Sequence, residues 1–219
     1  MRGALAIFLV GCGRVGFDPL GTSPEPPPVD APPNAQTLIT DVVADTYIST
    51  AGSSDANFGA SLTLVVNDAP ARRPLLRFDL STLPSTAAVF SVDLIIAADA
   101  TTKPDANPAQ VRVLREAWDE GTADGQTGAA SWLQRQTGVA WTTAGADVPS
   151  SDVAPIATFT VTGAGRYEIP LDRTVVAAWL ADPASNAGVL IRCACSMSLV
   201  SREAPPFADN AKLRVVYVP

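Results

Sequence analysis

From Thr37 to the C-terminus, apolar residues recur at every second position in short runs, and that period commits the chain to strands rather than helices. Leu62, Leu64 and Val66 alternate up to Asn67-Asp68, then Leu76, Phe78 and Leu80, then Val92, Leu94, Ile96 and Ala98. β-Branched residues mark 37–43 and 45–49, and further runs lie at 111–114, 156–161, 166–169, 188–197 and 212–218. Turn-forming residues punctuate them, as at 52–59 and 104–108, and Gly163-Ala-Gly165 is another such turn. One segment departs from this: Val175, Val176, Trp179 and Leu180 fall at helical spacing behind Asp172, a candidate N-cap, with Pro183 beyond the end. With no strand–helix–strand alternation and no internal repeat, the pattern predicts an all-β, antiparallel sandwich carrying one short helix anchored by Trp179.

Composition narrows the function. Of 219 residues 47% are hydrophobic, which suits one sizeable domain behind a tail. A body of about 180 residues buries roughly 70% of its extended-chain surface, so it needs no staple to fold. The formal charge of −7 repels phosphate backbones, which argues against a nucleic-acid partner. No polybasic run faces anionic lipid. The chain has no histidine, so Ser-His-Asp and Cys-His nucleophile systems and His-ligated zinc are excluded. Lysine occurs only at 103 and 212, which leaves carboxylate pairs as the main catalytic option. Asp119 and Glu120 are such a pair, yet sequence neighbours rarely flank a scissile bond, so the chain is not expected to be an enzyme.

The first eleven residues, Met1-Arg2 and an apolar run to Gly11, read as a signal peptide too short to span a bilayer. Leu9-Val10-Gly11-Cys12 matches a bacterial lipobox, in which small residues admit the peptidase and the Cys12 thiol takes the lipid. The other reading is a truncated secretory signal, or a later start, with an incidental cysteine. Residues 12–36 are proline-dense and aromatic-poor, a composition that favours an extended spacer. Gly13, rather than Asp, after the cysteine is compatible with export to the outer membrane. The expected protein is therefore exported and lipid-anchored at the outer membrane or cell surface, touches membrane only through that lipid, and displays residues 37–219 as a monomeric domain. Cys193 and Cys195, if both lie in a strand, have Cα atoms about 6.6 Å apart, at the edge of disulfide reach. Two small buried hydrophobes is the favoured reading for them.

Several segments together resemble the DNRLRE domain family, also described as carbohydrate-binding module family 96. They are Ala44-Asp45-Thr46-Tyr47-Ile48, Asn57-Phe58-Gly59, the specific run Arg77-Phe78-Asp79-Leu80-Ser81-Thr82-Leu83-Pro84, Ala117-Trp118-Asp119-Glu120-Gly121, Ser131-Trp132, Trp141, Ser201-Arg202-Glu203 and 213–217. Val111-Arg-Val-Leu-Arg-Glu116 is the nearest approach to the family's eponymous string. The resemblance spans the chain from near Thr37 onward. It implies a jelly-roll-like β-sandwich and non-catalytic polysaccharide binding, alginate included; a surface structural or adhesion domain that binds protein or its own copies is the alternative.

Candidate ligand contacts follow from the chemistry of uronic acids. Basic residues are 13 Arg to 2 Lys, and an arginine fork matches a carboxylate bidentately. Arg72, Arg73, Arg77, Arg112 and Arg115 fall in or beside neighbouring predicted strands. The competing reading is ordinary pairing, Arg77 with Asp79 or Arg115 with Glu116. Trp118, Trp132 and Trp141 lie in or beside a turn-rich stretch and suit either a sugar-stacking platform or buried anchors. Trp132 is the one retained as a ligand contact. No organic cofactor is implied. Asp119, Glu120 and Asp124, or Asp41 with Asp45, or Asp55 with Asn57, could supply oxygen ligands to a structural Ca²⁺, although none follows an EF-hand spacing.

Overall fold

The computed structural model describes residues 31–219; the segment read as a signal peptide, Cys12 and most of the proline-rich stretch lie outside the described residues. The strands are β1 (Gln36–Ser49), β2 (Ala56–Asn57), β3 (Thr63–Asp68), β4 (Ala71–Phe78), β5 (Ala88–Ala98), β6 (Asp105–Val113) and β7 (Gln126–Thr127). They continue with β8 (Gln134–Gln136), β9 (Val139–Ala140), β10 (Ala157–Val161), β11 (Gly165–Pro170), β12 (Val189–Arg192), β13 (Met197–Val200) and β14 (Lys212–Val218). The helix α1 spans Arg173–Ala181. As the alternation requires, the chain is an all-β sandwich with antiparallel pairing throughout.

One sheet joins β11, β5, β14 and the first part of β1, with β13 and β3 continuing from the end of β5. The other runs β1, β4, β12, β6, β10. β1 serves both: residues 36–41 pair with β14 and 42–49 with β4, the register slipping between Val42 and Ala44. Val43 is the extra residue there, a bulge that bends the strand across the corner of the sandwich. β3 turns a second corner, pairing with β13 up to Val66 and with β4 at Asn67 and Asp68.

Leu64, Leu76, Phe78, Leu94, Ile96, Val111, Val189, Ile191, Met197 and Leu213 fill the space between the sheets. α1 adds Val176, Trp179 and Leu180 to this core, and its first turn is held by Asp172, whose carboxylate accepts from the Thr174 amide and hydroxyl.

The run 188–197 is not the single strand that its apolar pattern suggests. β12 belongs to one sheet and β13 to the other, and residues 193–196 carry the chain between them. This turn brings the Cα atoms of Cys193 and Cys195 to 5.0 Å, and the two are joined in a disulfide. They are buried as expected, but they are not free thiols: the strand geometry that disfavoured a bond ends at Arg192.

A second apolar cluster lies on the outer face of the β1–β4–β12–β6 sheet. Ile48, Leu75, Leu190 and Leu114 meet Trp118, Trp141, Ala130 and Ala146 from the long excursion between β6 and β10. That covering explains why Arg73 through Leu76 are all buried instead of alternating. The strand has core on both sides.

Candidate functional site

The register of the covered sheet places its outward residues in rows. Leu75 and Arg73 are two apart on β4, as are Leu190 and Arg192 on β12, while Leu190 stands opposite Arg112 and Arg192 opposite Gln110. The leucines of these rows lie under the tryptophan excursion. Arg112 shares the row of Leu75 and Leu190, Arg73, Arg192 and Gln110 come two residues further along their strands, and all four project from one face of the sheet.

Asp147 is the carboxylate that meets these guanidiniums, 3.3 Å from Arg73 and 3.6 Å from Arg192. Burial alone would raise its pKa, but the Val148 amide and the two arginines outweigh that and hold it below the ordinary value. Arg73 is buried, donates to the Gly145 carbonyl at 2.6 Å, and stacks over the Trp132 ring. Desolvation lowers its pKa, with Arg192 and Arg112 adding repulsion against the pull of Asp147. Arg112 is lowered in the same way, by burial first and then by Arg192. Its hydrogen-bond partner is the neutral Gln110 Oε1, at 2.9 Å. Among the described residues no carboxylate lies within ion-pair distance of Arg112. A groove of about 310 Å³ opens here, lined by Asp68, Asn107, Gln110, Arg112, Arg192 and Cys193.

The five candidate arginines therefore part company. Arg73 and Arg112 reach this face, and Arg73 works mainly as its support. Arg77 does not pair with Asp79: it donates to the Trp118 carbonyl at 3.0 Å and lies over that ring, while Asp79 closes a turn on Ser81. Arg115 is held bidentately by Asp152 at 2.6 Å, not by Glu116. Arg72 points the other way, toward the Tyr47 end of the sandwich, where its charge offsets part of the burial that raises the Tyr47 hydroxyl. Trp118 and Trp141 are buried anchors, donating to the Ala187 and Ser131 carbonyls. Trp132 is half-buried beneath Arg73, so it carries the guanidinium rather than offering a free ring face. Cys12 lies outside the described residues. Arg192 was not singled out from the sequence; its signal was the two-residue offset from Leu190, hidden by reading 188–197 as one strand.

Carboxylates gather elsewhere. Oxygen atoms of Asp45, Glu120 and Glu203 lie within 4.8 Å of one another, at the end of the sandwich where β1, the tryptophan excursion and the segment after β13 meet. Glu120 accepts from the Asp45 amide at 2.6 Å and from Arg202 at 2.8 Å. The Arg202 amide donates to Asp45 Oδ2 at 2.8 Å. Burial raises the Asp45 carboxyl to about 8, against the Arg202 amide and with help from Glu203 and Glu120. Burial also raises Glu120, despite the Asp45 amide and Arg202. The calcium ligand sets suggested by sequence proximity do not assemble. Asp119 turns to Gln136, Asp41 to Lys212 and Asp55 to Gln134, while Asn57 is buried and ties the Glu120 and Ala130 carbonyls together. Nor do Asp119 and Glu120 face one site as a hydrolytic pair would; each carboxylate has its own partners.

No curated protein matches this chain. The sequence model of carbohydrate-binding module family 96 matches residues 36–206, which takes in every strand of the sandwich but β14 and both the arginine face and the carboxylate cluster. With more than half of the chain matched, and with a β-sandwich bearing an open polar groove, this chain belongs to carbohydrate-binding module family 96.

Proposed function

We propose that the chain is a non-catalytic module that binds anionic polysaccharides, alginate among them, on the face formed by Arg112, Arg192 and Gln110, and that a lipid on Cys12 displays it on the cell envelope. One observation carries the ligand class. In a chain of net charge −7, three guanidiniums share one sheet face with Asp147 as the carboxylate between them, and Arg112 has only a neutral hydrogen-bond partner. A uronate carboxylate supplies the missing acceptor in the geometry that an arginine fork prefers. The remaining acidic charge is screened beyond a Debye length of about 8–10 Å. The groove is partly open to solvent, which suits a polymer segment laid on the surface better than a small substrate that is enclosed. The Cys193–Cys195 disulfide accords with an oxidising compartment outside the cytosol.

The test is affinity electrophoresis of the Cys12→Ser protein in gels containing alginate, polygalacturonate, or a neutral glucan. Retardation by the polyuronates alone supports the reading. Equal retardation by neutral and acidic gels would remove the role of the arginines. Migration unchanged in all gels would favour the alternative, a domain that binds protein or its own copies.

A further inference from the structure

The carboxylate cluster at the end of the sandwich lies apart from the arginine face, and its chemistry is that of a cation site. Asp45 is 1% exposed, and its Oδ1 is buried with no hydrogen-bond partner. A bare carboxylate oxygen in such a place is costly unless something positive meets it. Asp45 belongs to a set with Glu120 and Glu203 in which each residue offers one carboxylate oxygen, all within 4.8 Å. Two ligands on opposite sides of a Ca²⁺, each about 2.4 Å away, stand about 4.8 Å apart, so the three oxygens fit around one ion. Arg202 contacts Glu120 and Glu203 and is the one cation within ion-pair distance of the three among the described residues. With all three ionised around a metal, it balances one charge of three.

We propose that Asp45, Glu120 and Glu203 bind one Ca²⁺. The donors are all hard oxygens; the chain has no histidine and, among the described residues, both cysteines are held in the disulfide, so nothing here favours zinc. Ca²⁺ suits the set better than Mg²⁺, because it accepts irregular geometry and completes its shell of six to eight oxygens with water. Glu203 is the least buried of the three, its side chain 23% exposed against 16% for Glu120, and forms the entrance. The ion would tie together three segments far apart in sequence: β1, the excursion that covers the outer core, and the loop after β13. It would act as a structural clamp, whatever glycan the arginine face takes.

Thermal unfolding and calorimetry of the full chain carrying Cys12→Ser, first stripped with EDTA, test this directly. Added CaCl₂ at 1 mM is expected to bind at a stoichiometry of one and raise Tm by about 5 °C, with MgCl₂ giving a much smaller rise. Glu203→Gln and Asp45→Asn are expected to abolish the calcium response; Glu203, being partly exposed, keeps the test readable if the Asp45 variant fails to fold. A stripped protein with neither heat nor a Tm change up to 10 mM Ca²⁺ (about tenfold above the weak end of calcium sites) would overturn the proposal and leave a proton shared between Asp45 and Glu203. An equal response in Glu203→Gln, or equal stabilisation by Mg²⁺, would overturn it as well.

Discussion

The guanidinium of Arg73 lies 4.8 Å from the centroid of the Trp132 ring while it donates to the Gly145 carbonyl and pairs with Asp147. One side chain thus joins β4 to the excursion that roofs the outer core, and the same contact holds Asp147 where Arg192 can reach it. The arginine face is built on a buried arginine as much as on exposed ones.

Arg73→Ala should therefore read first as a loss of stability. It strands the Gly145 carbonyl, half-frees Asp147 and uncovers Trp132, a combined effect of about 2–4 kcal/mol. Chemical denaturation checks it. A change below about 0.5 kcal/mol would mean that the roof is held elsewhere.

Arg112→Ala and Arg192→Ala should weaken binding without that instability, since both are partly exposed. Losing one charge-assisted hydrogen bond, about 1.5 kcal/mol, corresponds to about tenfold in Kd for alginate. Binding should fall with salt yet stay level from pH 5 to 9. On the arginine face no group titrates there, since the chain has no histidine, arginine stays protonated and Asp147 is held below its ordinary value; the raised Asp45 carboxyl belongs to the separate cluster. Titration calorimetry at several pH values and salt concentrations reads both; a transition near pH 6–8 would contradict the arginine face.

Gly188 has φ +83°, and a Cβ on it would meet the Leu76 carbonyl oxygen at 2.1 Å. It stands at the point where β12 enters between β4 and β6. Gly188→Ala is expected to lower Tm by about 5–10 °C through backbone strain and displaced strand pairing. An unchanged Tm would show that the sheet yields locally.

At the start of α1, the Thr174 amide and hydroxyl hold the Asp172 carboxyl below its ordinary value. Because the folded value is depressed, this contribution is present above the unfolded value of about 3.9 and is lost as pH falls through the lower folded value. Asp172→Asn keeps the cap but should flatten that part of the acid-unfolding profile, whereas Asp172→Ala should lose about 1 kcal/mol at neutral pH. Identical acid profiles for wild type and the Asn variant would rule the linkage out.

Strand identity was legible where one face meets the core and the other meets solvent. Val92, Leu94 and Ile96, and Leu64 and Val66, alternate as read and sit in the inter-sheet core. The helix was legible as well, from Asp172 to Leu180, because its cap and apolar spacing are local. The reading faltered where partners come from far along the chain. Alternation sets Leu75 opposite Leu76, on the face of Arg77 and Asp79, but the excursion buries it. Arg77 finds Trp118, Arg115 finds Asp152, and the Cys193–Cys195 segment proves to be a turn between sheets.

The sequence by itself determined the period of the strands, the capped helix and the excess of arginine over lysine, because each of these depends on residues a few positions apart. Only the tertiary structure decided which face of β4 is roofed, that Arg192 joins Arg73 and Arg112, and that Asp45, Glu120 and Glu203 converge. Those outcomes depend on strand register and on loop packing across 70 to 160 residues, as in the contacts that Asp45 makes with Glu120 and Arg202 at separations of 75 and 157. No local pattern encodes such distances, since register and packing are set by the cooperative burial of the whole core.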